Sequence, residues 1–275
     1  MTAGHFLALW QAETQKLLSR TSARGGIVVL MLVGIAVPAF MQLVANVGGQ
    51  VNGTPTAELV TQTIPSALSG VLTMRNFWIT RFLITLLAAL SFAEELNSRT
   101  LREQLIGPVP RSAVLLAKWL ALSVWIGIAT LMMWVIGGVF SALLFSADGD
   151  WQPLLLAWGA SVACDMVFAA LALCIAVWVR STAVTIVGVL CFLITDTLVG
   201  WTLTALGMLA GVMELPEAAD TLLAVQPWLP SAAFGWWSSW NGGEPWVWPN
   251  LVSMGLILLA SGLLAERRFD RMDLP

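Results

Sequence analysis

Two acidic side chains lie inside long, mostly apolar stretches of the sequence, where a charge is costly. These residues are Asp165 and Asp196. At mid-depth in a membrane, a carboxylate faces a partner, a cavity or another helix, or it binds a proton. The two residues could therefore relay protons or ions, contact a polar molecule, or make interhelical hydrogen bonds that only order the helices.

A second set of residues matches the motif of a different chemistry. Glu94, Glu95 and Arg99 form the Glu-Glu-x-x-x-Arg motif of CAAX-type membrane proteases. Those proteases also need histidines on two further helices, whereas His5 is the single histidine of this sequence. A protease is therefore disfavoured. Because Gly-x-Ser-x-Gly and His-Glu-x-x-His elements are also lacking, we predict neither catalytic residues nor a metal site.

The composition indicates the kind of element that must position these residues. Of the 275 residues, 58% are apolar and only 11% are charged, whereas about a quarter of the residues in soluble domains are charged. No basic stripe is large enough to neutralise several phosphates, which excludes nucleic-acid binding. The composition therefore predicts an all-α, polytopic membrane protein.

Six apolar segments approach or exceed the length of about 20 helical residues that a bilayer requires. The predicted spans are 27–45, 77–93, 119–145, 154–179, 183–213 and 249–265. Eleven of the 13 lysines and arginines fall on one side of these spans, and Arg75 and Arg81 are the exceptions. The positive-inside rule then predicts a multi-pass protein of the cell membrane with both termini in the cytoplasm.

Two segments outside the spans have helical patterns of their own. Residues 4–20 predict an amphipathic helix on the cytoplasmic surface, with Glu13, Lys16 and Arg20 turned towards lipid phosphates. The outer segment 214–248 contains six of the 15 tryptophans, and we predict that it forms a re-entrant loop in the outer leaflet. An interfacial belt without a gating role is the alternative for that loop.

The cytoplasmic loop 94–118 has the signals of a short helix outside the membrane. Thr100 and Glu103 match a capping box, and Gly107 and Pro108 end the helix after about two turns. A short, stiff, charged helix between two spans suits the transmission of a push from a soluble partner. A merely solvated turn is the alternative.

The loop 94–118 also matches most positions of a known sequence pattern. It departs from that pattern at two positions, with Arg99 where the pattern has Gly and Pro110 where it has Ser. The matching residues are Glu95, Thr100, Leu101, Pro108, Val109, Arg111 and Lys118. With them, the segment resembles the permease subunits of ATP-binding-cassette exporters of the type-2, G-subfamily-like class. Glu13 and Lys16 resemble the Glu-x-x-Lys element of that family, and six spans with a surface helix and a re-entrant loop extend the resemblance along the chain.

The resemblance implies a function and a set of site residues. Two permease copies, identical or paralogous, would pair, and the loop of each would dock on a cytoplasmic ATPase subunit. The implied coupling residues are Glu94, Glu95, Arg99, Thr100, Arg102, Glu103 and Arg111. The chain has no Gly-Lys-Ser/Thr element of a P-loop, so ATP and Mg²⁺ would bind to the partner and no cofactor to this chain.

The resemblance also implies a pathway between the second and fifth spans of the two copies. Asp196 is then the best candidate for contact with the cargo, Arg81 its counter-ion, and Asp165 a further candidate. The cargo would be a peptide, a lipid or a small amphipathic compound that is exported. An ion- or proton-coupled secondary transporter that uses Asp165 and Asp196 is the alternative, although the two halves of the sequence show no self-similarity.

Overall fold

The computed structural model describes residues 3–46, 50–51, 54–55, 63–97, 109–240 and 247–272. These residues are almost entirely helical, apart from one antiparallel pair of two-residue strands, Gln50–Val51 and Thr54–Pro55. Six of the described helices are long and apolar enough to cross a membrane. They are, from the first to the sixth span, Thr21–Asn46, Ile64–Glu94, Arg111–Leu144, Gln152–Val179, Thr182–Val212 and Trp248–Asp270. The prediction of an all-α bundle with six membrane-capable helices is confirmed.

The second span is the most irregular of the six helices. It starts at Ile64, well before the predicted residue 77, behind a capping box in which Thr63 and Ser66 bond each other's backbone amides. Two π-helical turns, Arg75–Ile79 and Leu90–Glu94, interrupt its α-helical hydrogen bonding. The helix therefore passes through Arg75 instead of beginning after it.

The shorter helices lie before the first span, after the second span, and between the fifth and sixth spans. The amino-terminal helix covers Ala3–Ser19, and the short helix Glu95–Asn97 follows the second span. Between the fifth and sixth spans lie helices Pro216–Val225 and Pro230–Phe234 and the 3-10 turns Gln226–Trp228 and Trp236–Trp240. We call Pro230–Phe234 the loop helix. The re-entrant position of segment 214–248 in a membrane stays a prediction.

The core of the bundle lies where the second, third and fourth spans meet. Trp125, Phe92 and Phe168 are among the largest fully buried side chains. The first and third spans approach each other closely at Gly34, where a Cβ atom would stand 2.9 Å from the carbonyl oxygen of Met133. Small residues at such crossings let two membrane helices pack closely.

Candidate functional site

A group of charged side chains joins the amino-terminal helix to the second and third spans. At its centre, the Lys118 ammonium donates hydrogen bonds to Glu13 Oε2 at 2.7 Å and to Glu95 Oε2 at 2.6 Å. Lys16 Nζ lies 2.9 Å from Glu95 Oε1, and Arg20 Nη2 lies 3.3 Å from the same oxygen. We call this group the charged cluster, and with Glu94 its members are Glu13, Lys16, Arg20, Glu94, Glu95 and Lys118.

The cluster is buried at its centre and open at its rim. Glu13, Glu95 and Lys118 are each at most 4% exposed. Glu94, by contrast, is exposed and pairs with Arg20 at 2.5 Å. A buried ion is expensive unless a partner of opposite charge compensates it, so the loss of one central member reduces the compensation of the others. The rim pair is screened by solvent and contributes little to stability.

The amino-terminal helix places three members of the cluster on one face. Glu13, Lys16 and Arg20 are spaced three and four residues apart, which is the spacing of neighbours on a helix surface. We predicted that this face points towards lipid phosphates. The structure turns it against the second and third spans instead, because Glu95 and Lys118 offer direct ionic partners there.

The predicted coupling residues fall into three groups. Glu94 and Glu95 belong to the charged cluster. Arg111 binds the carboxyl-terminal end of the sixth span: its Nη1 donates to the carbonyl oxygens of Phe269 at 2.6 Å and Met272 at 2.9 Å. Its guanidinium also lies 5.7 Å from the ring centroid of Phe269. The remaining residues, Arg99, Thr100, Arg102 and Glu103, lie outside the described residues with the predicted two-turn helix.

A second charged site lies inside the bundle. Arg75 is fully buried, and its Nη2 donates to Asp165 Oδ2 at 2.5 Å and to Thr130 Oγ1 at 2.7 Å. Its Nη1 donates to Asn76 Oδ1 at 3.0 Å and to the Ser161 hydroxyl. One guanidinium therefore ties together the second, third and fourth spans. We call Arg75 and Asp165 the buried pair.

Arg75 is the functional candidate that the sequence reasoning missed. It was assigned to the outer side as an exception to the charge rule, yet it lies inside the second span and is the ionic partner of Asp165. The available signal was the apolar stretch on both sides of Arg75, together with an aspartate at mid-depth that needs a cation. The π-helical turn Arg75–Ile79 begins at this residue, and within it Trp78 has a φ of 129°. Strained, positive-φ backbone persists only where surrounding contacts hold it.

Arg81 and Asp196 lie at opposite ends of the loop helix. Asp196, in the fifth span, lies beside Ser231, near the start of that helix. Arg81 Nη2 donates to the carbonyl oxygen of Phe234 at 3.1 Å, at its end, and the guanidinium stacks on the Phe234 ring. The predicted direct ion pair between Arg81 and Asp196 is absent, although both side chains are described. Arg81 instead meets a free carbonyl group at the end of the loop helix.

A comparison with known protein families matched a stretch of the chain that contains both charged sites. The sequence model of the ABC-2 family transporter proteins matches residues 9–200, which is well over half of the chain. The chain belongs to the ABC-2 family. No curated protein matches it. An ABC-2 permease is a membrane subunit of an ATP-binding-cassette transporter, so the family that the loop 94–118 resembles is confirmed. The protease and secondary-transporter alternatives gain no support.

Proposed function

We propose that this ABC-2 permease forms the translocation pathway of an exporter together with a second permease copy, and that a separate cytoplasmic ATPase subunit drives it. The cargo class is a peptide, a lipid or a small amphipathic compound. The ATPase binds ATP and Mg²⁺, and closure of the ATPase subunits shifts the spans between two states of different opening. This chain supplies the pathway and the contact that receives the motion.

The observation that carries the proposal is that the charged cluster joins the two helices that come before and after the loop 98–108 in the chain. Glu95 lies just before this loop in the chain, and Lys118 lies about two turns into the helix after it. The two side chains are joined at 2.6 Å. Lys118 also holds Glu13 of the amino-terminal helix. A force on the loop therefore reaches the second span, the third span and the amino-terminal helix at the same time.

Arg111 extends this connection to the sixth span. It is the first residue of the third span, and it binds three carbonyl oxygens at the end of the sixth, those of Phe269, Asp270 and Met272. Phe269 in turn packs edge-on against Phe92 of the second span, with ring centroids 5.3 Å apart. Both ends of the loop are thus connected to helices that cross the bundle, as a transmission element requires.

The exposed sides of the first and fifth spans support a second permease copy. In their most apolar windows only 17% and 22% of the residues are buried, compared with 61% in the second span. Arg81 and Asp196 flank the loop helix beside the fifth span. We therefore place the pathway between the second and fifth spans of the two copies, with Asp196 and Arg81 next to it. Asp165 is engaged by Arg75 and acts in this proposal as a structural partner of the pathway.

The proposed orientation has the charged cluster and both chain ends in the cytoplasm. Lys16, Arg20, Arg111, Arg267 and Arg271 are all at this end of the helices, and positive charge is concentrated on the cytoplasmic side of membrane proteins. We call the end of the bundle that contains the charged cluster the charged end.

The test is the ratio of transport to ATP hydrolysis in vesicles that contain the permease and its copurified ATPase. Arg102→Ala on the loop and Glu95→Gln in the cluster should lower cargo moved per ATP while the permease still inserts. Asp148→Asn is the matched control, because Asp148 is an exposed acid in the loop after the third span and belongs neither to the charged cluster nor to the loop 98–108. Normal ratios for both Arg102→Ala and Glu95→Gln would place the coupling contact elsewhere.

A further inference from the structure

An apolar groove lies between the third, fourth and sixth spans in the half of the bundle near the charged end. Its volume is about 440 Å³, within the usual range of small-molecule sites. Leu115, Leu116 and Trp119 line it from the third span, and Leu173 from the fourth. The Trp119 indole donates to the carbonyl oxygen of Met166 at 2.9 Å, which fixes this wall against the fourth span.

The groove is open on the side of the bundle. Leu116, Leu259 and Leu263 are between 46% and 64% exposed along it. A Cβ atom at Gly262, another lining residue, would meet nothing within 4 Å. In a chain with six membrane-capable helices, a side opening of leucine faces hydrocarbon, so its occupant has a long apolar chain.

The polar groups of the groove lie towards the charged end. Glu266 is the one charged residue in the lining, and it is only partly exposed. Among the residues that the structure describes, it forms no ion pair within 4 Å. The hydroxyl-bearing Ser112 lines the same end, at the start of the third span. An acid of this kind at the mouth of an apolar groove complements a cationic group.

We propose that the groove binds one molecule of a phosphatidylethanolamine-type lipid from the cytoplasmic leaflet. Its acyl chain lies along Leu116 and Leu259, and its ammonium group donates to the Glu266 carboxylate. Ser112, which lines the same end of the groove, supplies a hydroxyl donor for the phosphate. The leaflet follows from the proposed orientation; the lipid site itself does not depend on the coupling to an ATPase.

The experiment is native mass spectrometry of the full chain in detergent, titrated separately with palmitoyl-oleoyl phosphatidylethanolamine, phosphatidylglycerol and phosphatidylcholine. We expect one tightly retained phosphatidylethanolamine per chain. Glu266→Gln should weaken its binding about tenfold, because one charge-assisted contact is lost. Gly262→Leu should remove it by filling the groove. Gly255→Leu is the matched control, since Gly255 lies on the same helix, has open space at its Cβ and does not line the groove.

Three results would overturn the proposal. Equal retention by the wild type and Gly262→Leu would show that the lipid binds elsewhere. A preference for phosphatidylglycerol that Glu266→Gln leaves unchanged would contradict the ammonium contact. A change in oligomeric mass in Gly262→Leu without a change in lipid would make the groove an interface between copies. Since no ATPase is present, none of these results bears on the proposed exporter function.

Discussion

The buried pair gives the sharpest prediction of stability, because its two members should not be equally replaceable. Asp165→Leu leaves the Arg75 guanidinium buried with only Thr130, Asn76 and Ser161, which are neutral. An arginine cannot lose its proton in a protein, so the uncompensated charge stays. Breaking a buried pair in this way costs about 3–5 kcal/mol. That loss corresponds to a fall in Tm of roughly 6–20 °C for a chain of this size.

Removal of the cation should cost less. In Arg75→Met the Asp165 carboxyl group can bind a proton and become neutral, so the remaining cost is that of hydrogen-bonding groups left without a partner, about 1–3 kcal/mol. In the double variant neither charge remains, and Ser161 still donates to Asn76 at 3.0 Å. We expect the double variant to be more stable than Asp165→Leu alone, with a coupling energy of at least about 2 kcal/mol.

The assay is thermal unfolding of the four proteins, wild type, two single variants and the double variant, in one detergent. Asp148→Leu is the control, because Asp148 is an exposed acid in the loop after the third span and its replacement should change stability by no more than about 0.5 kcal/mol. Losses of the two single variants that simply add within about 0.5 kcal/mol would refute the account of a buried pair. So would an Asp165→Leu variant as stable as the control.

Three further variants test other contacts. Lys118→Met should lower the free energy of unfolding by about 1–3 kcal/mol in the same assay, because Glu13 and Glu95 lose a buried hydrogen-bond donor. An equal loss in Arg20→Met would contradict the assigned burial. Gly34→Ala should lower Tm, because its Cβ would stand 2.9 Å from the carbonyl oxygen of Met133. Gly25→Ala is the control and should leave Tm unchanged, because the space around its Cβ is open. Equal Tm values for the two variants would count against the close crossing of the first and third spans. Asp196→Asn should change the range of charged cargo exported, and an unchanged range would leave Asp196 as a structural partner of the loop helix.

Hydropathy and charge placement were enough to predict the six helices, because each span must satisfy its own backbone in lipid. The same signal was misleading at Arg75, since a single cation was interpreted as the end of a span. Its acceptors Asp165, Thr130 and Ser161 come from two other helices, and their approach depends on helix rotation and on the π-helical turn at Arg75–Ile79.

Dependence on distant residues also explains why the sequence did not predict the contacts of the amino-terminal helix and of the loop helix. The spacing of Glu13 and Lys16 predicts a polar face but not which surface that face meets. Lys118, about a hundred residues further along the chain, decides it. For Arg81 and Asp196, opposite charge suggested a direct pair, whereas the ends of a short helix from a distant loop lie between them. Contacts between residues that are far apart in the sequence depend on how the helices pack, and local sequence patterns do not determine that packing.

The most direct test of the central claim is photocrosslinking from the loop between the second and third spans. A photoreactive amino acid at Arg102 in the full chain, expressed with its ATPase partner, should crosslink to a peptide of a P-loop ATPase identified by mass spectrometry. The same amino acid at Asp148, on the loop between the third and fourth spans, should give no such product. Crosslinks from position 102 to lipid alone, or an equal ATPase yield from position 148, would contradict the proposal that this loop receives the motion of the ATPase.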